Sequence, residues 1–285
     1  MLNGLNRVKM RLNVMEAVGV LMVLSLALVA VFAPIIAPHD PVRAVANTFG
    51  DPGAPSIAFP LGTDQLGRDV LSRVIFGARI SLTVGVMAML VTISIGVTIG
   101  LLAGFFGGAM DFVLMRLTDV MLTLPALLLA MALVSVLRPS LLSILIVIGL
   151  VSWTGVARVV RAETLSMAQR DFVLAAHALG GSSQRLIVRH VLPNVMPIIV
   201  VMAVLGTSGT LLLDAGLSFL GLGVPPPTPS WGRMIEEATT YFRTAPWLAV
   251  FPGIAIFYAV LGFNLLGYGY LRRRGRATTV LTPPQ

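Results

Sequence analysis

The residues of this chain that could do chemistry are few, and their spacing decides against most reactions. Cysteine is absent, which removes thiol nucleophiles, disulfides and Cys-based metal sites together. His39, His177 and His190 are the only imidazoles, and none lies at metal-ligand spacing with another. A phosphate-binding loop needs a lysine behind a glycine-rich turn, and the single lysine, Lys9, sits near the N-terminus with no such turn before it. No Ser, His and Asp arrangement and no carboxylate pair is recognisable, because most acids fall in polar segments at unrelated spacings. The expectation is a chain with no catalytic, cofactor or metal site of its own, so that any ATP would be hydrolysed by another chain.

One pattern does stand out, in the polar segment Glu163 to Asn194, which is enclosed by apolar runs on both sides. Phe172, Ala175, Ala176 and Leu179 recur at i, i+3, i+4 and i+7, the spacing of one helical stripe, with Asp171, His177 and Gly180 off it. Gly180-Gly181 supplies a stop that tolerates left-handed backbone, Ser182 or Ser183 can cap a second helix, and Leu192-Pro193 is expected to end that one. The segment reads as two short helices joined by a tight glycine turn and tethered to membrane spans.

Composition explains those tethers. Of 285 residues, 56% are hydrophobic and 11% charged, where a soluble domain carries roughly 25%. A net charge of +8 in so apolar a chain points to loops on the inner side of a membrane rather than to nucleic acid, and no basic patch with interleaved aromatics occurs.

The expected organisation follows the apolar runs, each tested against the roughly 20 residues a span requires. Residues 1–13 form a basic tail, 14–38 a first span too long for a cleaved signal peptide, and 39–79 an external loop. Residues 80–271 form a core with five more spans. Its second span carries Gly96, Gly100, Gly104 and Gly108, a four-residue ladder expected to put all four on one packing face. The third span is read as Phe112 to Leu137, with Arg116 and Asp119 pairing with one another. The fourth runs from Leu141 to Ala157, the fifth from Val195 to Asp214, and the sixth from Ala245 to Leu271. Trp231 and Trp247 are placed as interface anchors, and 272–285 is an arginine-rich tail.

Four places in the chain carry a resemblance. Ala175-Ala176, then Gly180, then Leu192-Pro193 resemble the EAA-type signature of the membrane subunits of ABC importers, with Leu174 where Glu is common and His190 where Ile is common. Leu61-Gly62-Thr63-Asp64, Gly67-Arg68-Asp69, Ser72-Arg73 and Gly77-Ala78-Arg79 resemble one branch, the C-type permease subunits of the dipeptide, oligopeptide and nickel family. Leu217 to Gly223 and Asn264-Leu265-Leu266-Gly267 agree with that branch, and Tyr268 departs from its usual Asp.

The resemblance implies an all-α, type I permease bundle of six spans in a bacterial inner membrane. Segment 163–194 would be its cytoplasmic coupling helix, with Asp171, Phe172, Ala175, Ala176, Leu179, Gly180, Leu192 and Pro193 at the ATPase dock. It also implies the partners: a second, non-identical permease chain, two ATP-binding subunits that carry the ATP and Mg, and an extracytoplasmic binding protein. Solutes of such relatives include peptides, nickel complexes, glutathione and opine-like compounds.

From the residues, Asp64, Arg68, Asp69 and Arg73 offer compensating charges that would hold the external loop against the next helix. With both termini inside, thirteen basic residues face the cytoplasm against seven outside. The competing reading, an ion-coupled carrier working alone, should show inverted repeats and midplane charges, and neither is evident.

Overall fold

The computed structural model describes residues 13–46 and 50–281. The tail residues 1–12, with Arg7, Lys9 and Arg11, lie outside the described residues, as do residues 282–285 and the side chains of Arg274 and Arg276. Among the described residues the chain is all-helical, and its one β feature is an isolated bridge between Thr63 and Asp69.

Helix α1 (Val14–Val31) is followed by the short α2 (Ala33–Ile36) and by the polar segment that leads to α3 (Val70–Phe106). The helix α3 therefore begins inside the segment expected to be loop as far as residue 79. Asp69 starts it early, its carboxylate accepting the backbone N–H of Ser72 at 3.0 Å, which satisfies a donor that the first turn leaves open. With 37 residues, α3 is roughly 55 Å long, more than the ~30 Å hydrocarbon core requires, so it extends beyond the bilayer.

The expected third span is broken. It consists of α4 (Gly108–Thr123) and α5 (Ala126–Leu137), bent by 88° at Leu124-Pro125. Pro125 has no N–H to donate and crowds the residue before it, and Leu124 accordingly takes extended backbone at φ −98°, ψ 133°.

Helix α6 (Leu141–Ala168) opens on a capping box between Ser140 and Ser143 and runs well past Ala157. After α7 (Asp171–Ala178) and α8 (Ser183–Leu186), a π-turn at Ile187–Val191 leads into α9 (Leu192–Phe219). Leu192-Pro193 thus does not end a helix. Pro193 stands in the first turn of α9, where a missing N–H costs little, and the wide turn before it takes up the change of frame. Asn194 Nδ2 donates to the carbonyl of His190 at 2.6 Å, satisfying an acceptor there.

Helix α10 (Trp231–Ala238) interrupts the Pro-rich connection to α11 (Trp247–Leu281). Among the described residues, five runs are long and apolar enough to cross a membrane, counting α8 through α9 as one, and the bent α4–α5 pair makes a sixth.

The most extensive packing is between α3 and α6, and the glycine ladder causes it. An added Cβ at Gly96 would stand 2.9 Å from the carbonyl of Trp153, one at Gly100 2.7 Å from that of Ala157, and one at Gly104 2.7 Å from that of Arg161. In lipid, where apolar surface gains little from meeting apolar surface, such backbone approach is what holds helices together. Gly108 does not belong to this face. It lies beyond the end of α3 at φ +51°, and an added Cβ there would meet nothing within 4 Å. The ladder's four-residue period outlasts the helix that gives it meaning.

Candidate functional site

Between α6 and α9 the chain forms a protrusion whose two sides differ. Val173 is 2% exposed and, with Val191 and Val195, packs into a cluster with Val156 and Val160 of α6 and Leu101 of α3. Leu186 is buried as well. Val173, Val191 and Val195 root the protrusion in the ends of the long helices, while Leu186 closes over Gly181 within it.

The stripe faces the other way. Phe172 is 47% exposed and Leu179 90%, with Ala175 exposed and Ala176 half-buried between them. Phe172 leans on His190, their ring centroids 6.4 Å apart. Leu192 and Pro193 sit at the root, on the first turn of α9, rather than on this outer face. Asp171 is in the first turn of α7, where the helix dipole favours a carboxylate.

The turn after α7 is a Schellman motif. Gly181 N–H donates to the carbonyl of Ala176 at 3.1 Å and Gly180 N–H to that of His177 at 2.9 Å. Gly180 takes φ +84°, the left-handed conformation that L side chains resist. Gly181 is needed for room, since a Cβ there would stand 2.7 Å from the carbonyl oxygen of Ala176. Ser182 then caps α8, accepting from Arg185 N–H at 3.4 Å.

The opposite end of α3 carries a closed ring of charges. Asp64 Oδ2 accepts from Arg68 Nε at 2.7 Å and also from Arg73 Nη1, while Glu237 Oε2 meets Arg68 Nη2 at 3.2 Å and Arg73 Nη2 at 2.8 Å. Each acid touches both bases, Glu237 Oε1 also meets Arg233 Nε at 3.4 Å, and the set is largely buried. Asp69 is buried beside it and lies 3.4 Å from His39 Nδ1. Of the compensating charges expected of Asp64, Arg68, Asp69 and Arg73, three meet in the ring, while Asp69 instead caps α3 through Ser72. Glu237 of α10 completes them, a partner more than 160 residues away that spacing along the chain gives no means to find.

Trp231 is not an interface anchor. It is buried, lies over Gly77, and donates its indole N–H to the carbonyl of Val74 at 2.9 Å, fastening α10 to the first turns of α3. Arg116 and Asp119 do not pair either: Asp119 accepts from Arg158 Nη2 of α6 at 2.6 Å, and one turn on, Arg161 grips Asp111 with two N–H groups. Three residues on one helix bring Arg116 and Asp119 near each other, but a facing helix offers Asp119 a better-placed cation. Asp214 is buried in α9 and lines one small crevice with Ser81 and Trp231.

Between α3, α6 and α9, at the foot of α5, a cleft of about 380 Å³ is lined by Met89, Thr92, Ser152, Gly155, Gly209 and Leu213 among others, none of them ionisable. Gly155 and Gly209 open directly onto space, with nothing within 4 Å of where a Cβ would stand. Among the described residues no group of three or more His, Asp or Glu is placed to hold a metal.

Comparison with known proteins gives this architecture a family. The family described as "binding-protein-dependent transport system inner membrane component" matches residues 96–276, which take in the ladder, the protrusion and most of α11. A dipeptide transport system permease protein of Alkalihalophilus pseudofirmus is 39% identical over 261 residues, covering 92% of this chain and 85% of that protein. A di/tripeptide transport system permease protein of Pseudomonas aeruginosa is 42% identical over 255 residues, with 88% and 84% covered. A glutathione transport system permease protein of Escherichia coli is 41% identical over 259 residues, with 90% and 84% covered. The chain therefore belongs to the inner-membrane components of binding-protein-dependent transport systems, the permease subunits of ABC importers, and not to the ion-coupled carriers.

Proposed function

We propose that this chain forms half of the translocation pathway of an importer for peptides or a related small solute, and that segment 163–194 docks on an ATPase subunit. The observation that carries the reading is the division of α7 into a rooted side and a free side. Val173 and Val191 hold the protrusion to the bundle, while Phe172, Ala175, Ala176 and Leu179 remain for another surface. Covering Leu179 in an apolar groove would contribute roughly 1.5–3 kcal/mol, and covering Phe172, already half-buried, about half as much. The alanines between them let the groove wall come close. A short rigid protrusion that is bound on one face and continuous with two spans passes on the movement of whatever holds it.

In this reading ATP and Mg are bound by two ATP-binding subunits, a second, non-identical permease chain supplies the other half of the pathway, and an extracytoplasmic binding protein delivers the solute. The protrusion and both termini face the cytoplasm, in keeping with the excess of basic residues on that side. ATP-driven closure of the partner subunits would carry α7 with it and turn the paired bundles from inward-open to outward-open. The names of the relatives favour peptides or glutathione. A cleft without ionisable groups fits a pathway that leaves selection by charge to the binding protein.

The chain has no cysteine, so one introduced at Leu179 is its only thiol. With the complex assembled, Leu179→Cys is expected to crosslink to an ATP-binding subunit and Leu142→Cys, exposed on the span beyond, is not. Crosslinking from residue 142 and none from 179 would overturn the docking.

A further inference from the structure

Helix α4 is the least secured long element of the bundle. Only Thr118 of its sixteen residues is buried, whereas α6 beside it buries twelve. The Thr118 hydroxyl is turned back onto its own helix, donating to the carbonyl of Leu114. The helices on either side are well fixed: α3 through the glycine ladder, and α5 through Ala130 and Val134, which are fully buried against Ile144, Val147 and Ile148 of α6.

Both ends of α4 are joints. Gly107 and Gly108 take φ +62° and +51° with no neighbour within 4 Å of an added Cβ, so conformation and not crowding calls for glycine at both. At the far end, Leu124-Pro125 turns the chain by 88°. What holds α4 to α6 between these joints is a pair of ion bridges along one face. Asp111 meets Arg161 and Asp119 meets Arg158, the acids two turns apart on α4 and the bases one turn apart on α6. The outer bridge, Asp119 to Arg158, is half-exposed, the kind of pair that contributes little and opens readily.

We infer that α4 is a hinged helix latched to α6 by Asp111–Arg161 and Asp119–Arg158, and that the latch opens and closes during transport. Arg158 and Arg161 lie in the last turns of α6 before the chain enters α7, so a pull on the protrusion reaches them directly. Released at these two points, α4 swings on its diglycine and Leu-Pro joints while α3 and α5 stay packed. Its far joint adjoins Ala126, which lines the cleft between α3, α6 and α9, so the swing alters one edge of that cleft. The four charged residues are then positioning residues for the transport step and touch no solute. This inference rests on the proposed ATPase docking of the α7 segment.

Because this chain has no cysteine, an introduced pair provides its only thiols, and the test is made in the assembled complex. With Asp119→Cys and Arg158→Cys combined, a short bifunctional methanethiosulfonate should join α4 to α6 efficiently without nucleotide. The yield should fall several-fold when the ATPases are trapped with ATP and vanadate. Joining the helices should stop the transport that the double variant retains without reagent, and reductive cleavage should return it to that level. Equal yields in the two states, or full transport with the helices joined, would overturn the latch.

Charge reversal supplies a second arm that introduces no cysteine. Asp119→Arg should lower transport several-fold, and adding Arg158→Asp should bring it back. No loss in the single variant, or no recovery in the double, would count against the latch. Substrate-stimulated ATPase activity of the complex before crosslinking reports the docking reading separately, so failure of one is not mistaken for failure of the other.

Discussion

Replacing Gly100 by alanine adds one methyl group to α3, and the structure says where it goes. The new carbon would stand 2.7 Å from the carbonyl oxygen of Ala157 and 2.7 Å from Cβ of Val160, where ordinary contact begins at 3.4 Å. Neither neighbour can turn aside, since one is backbone and the other the branch point of a fully buried side chain. The helices must therefore separate by about 0.7 Å, which also loosens the approaches at Gly96 and Gly104. Overpacking of this kind costs about 1–3 kcal/mol, roughly a five- to 150-fold lower ratio of folded to unfolded chain. Alanine's better helix propensity returns up to about 1 kcal/mol of that.

Gly209→Ala is the matched control. It makes the same chemical change in α9, where nothing lies within 4 Å of the new carbon, so only the propensity gain remains. Thermal loss of monodisperse complex in detergent, followed by size-exclusion chromatography, should rank Gly209→Ala at or above the wild type and Gly100→Ala clearly below it. Equal melting of Gly100→Ala and the wild type would refute the close packing of α3 on α6.

Two further outcomes concern the end of the molecule away from the protrusion. Glu237→Gln leaves Arg68 and Arg73 buried with a single carboxylate between them, and breaking a buried charge set in this way costs about 3–5 kcal/mol, so the yield of folded complex should fall sharply. Trp231→Phe keeps most of the packing over Gly77 but loses the indole bond to Val74, a change of about 1 kcal/mol that should lower the melting temperature by a few degrees without touching transport.

Much of this architecture is legible in the sequence because membrane spans and helix caps are local signals. Hydropathy finds the runs, the i, i+3, i+4, i+7 spacing finds the outer face of α7, and Gly180-Gly181 marks its end. The errors come from features that locality does not hold. Pro125 is plain in the sequence, yet hydropathy alone carried the span through it, since lipid accepts either side of the bend. Arg73 and Arg79 made the start of α3 look like loop, because the acids that neutralise Arg73, Asp64 and Glu237, converge only in the fold. Val173 lies off the stripe, and its value is in the cluster it reaches, not in its own period. A π-turn ahead of Pro193 leaves no mark in composition, so composition places a stop where the chain only changes pitch.

If the free face of α7 couples ATP hydrolysis to the bundle, as proposed, two substitutions there should uncouple them. In the reconstituted complex, Ala176→Glu places a charge among Phe172, Ala175 and Leu179, and Gly180→Val forces a β-branched residue into φ +84°, at a cost of about 1–2 kcal/mol or more. Neither change touches a residue buried in the bundle, so both variants should reach the membrane. Solute uptake and the stimulation of ATPase activity by solute-loaded binding protein are then measured side by side. The account predicts that both are lost in both variants while the spans remain inserted. Uptake and stimulation that survive both substitutions would contradict it.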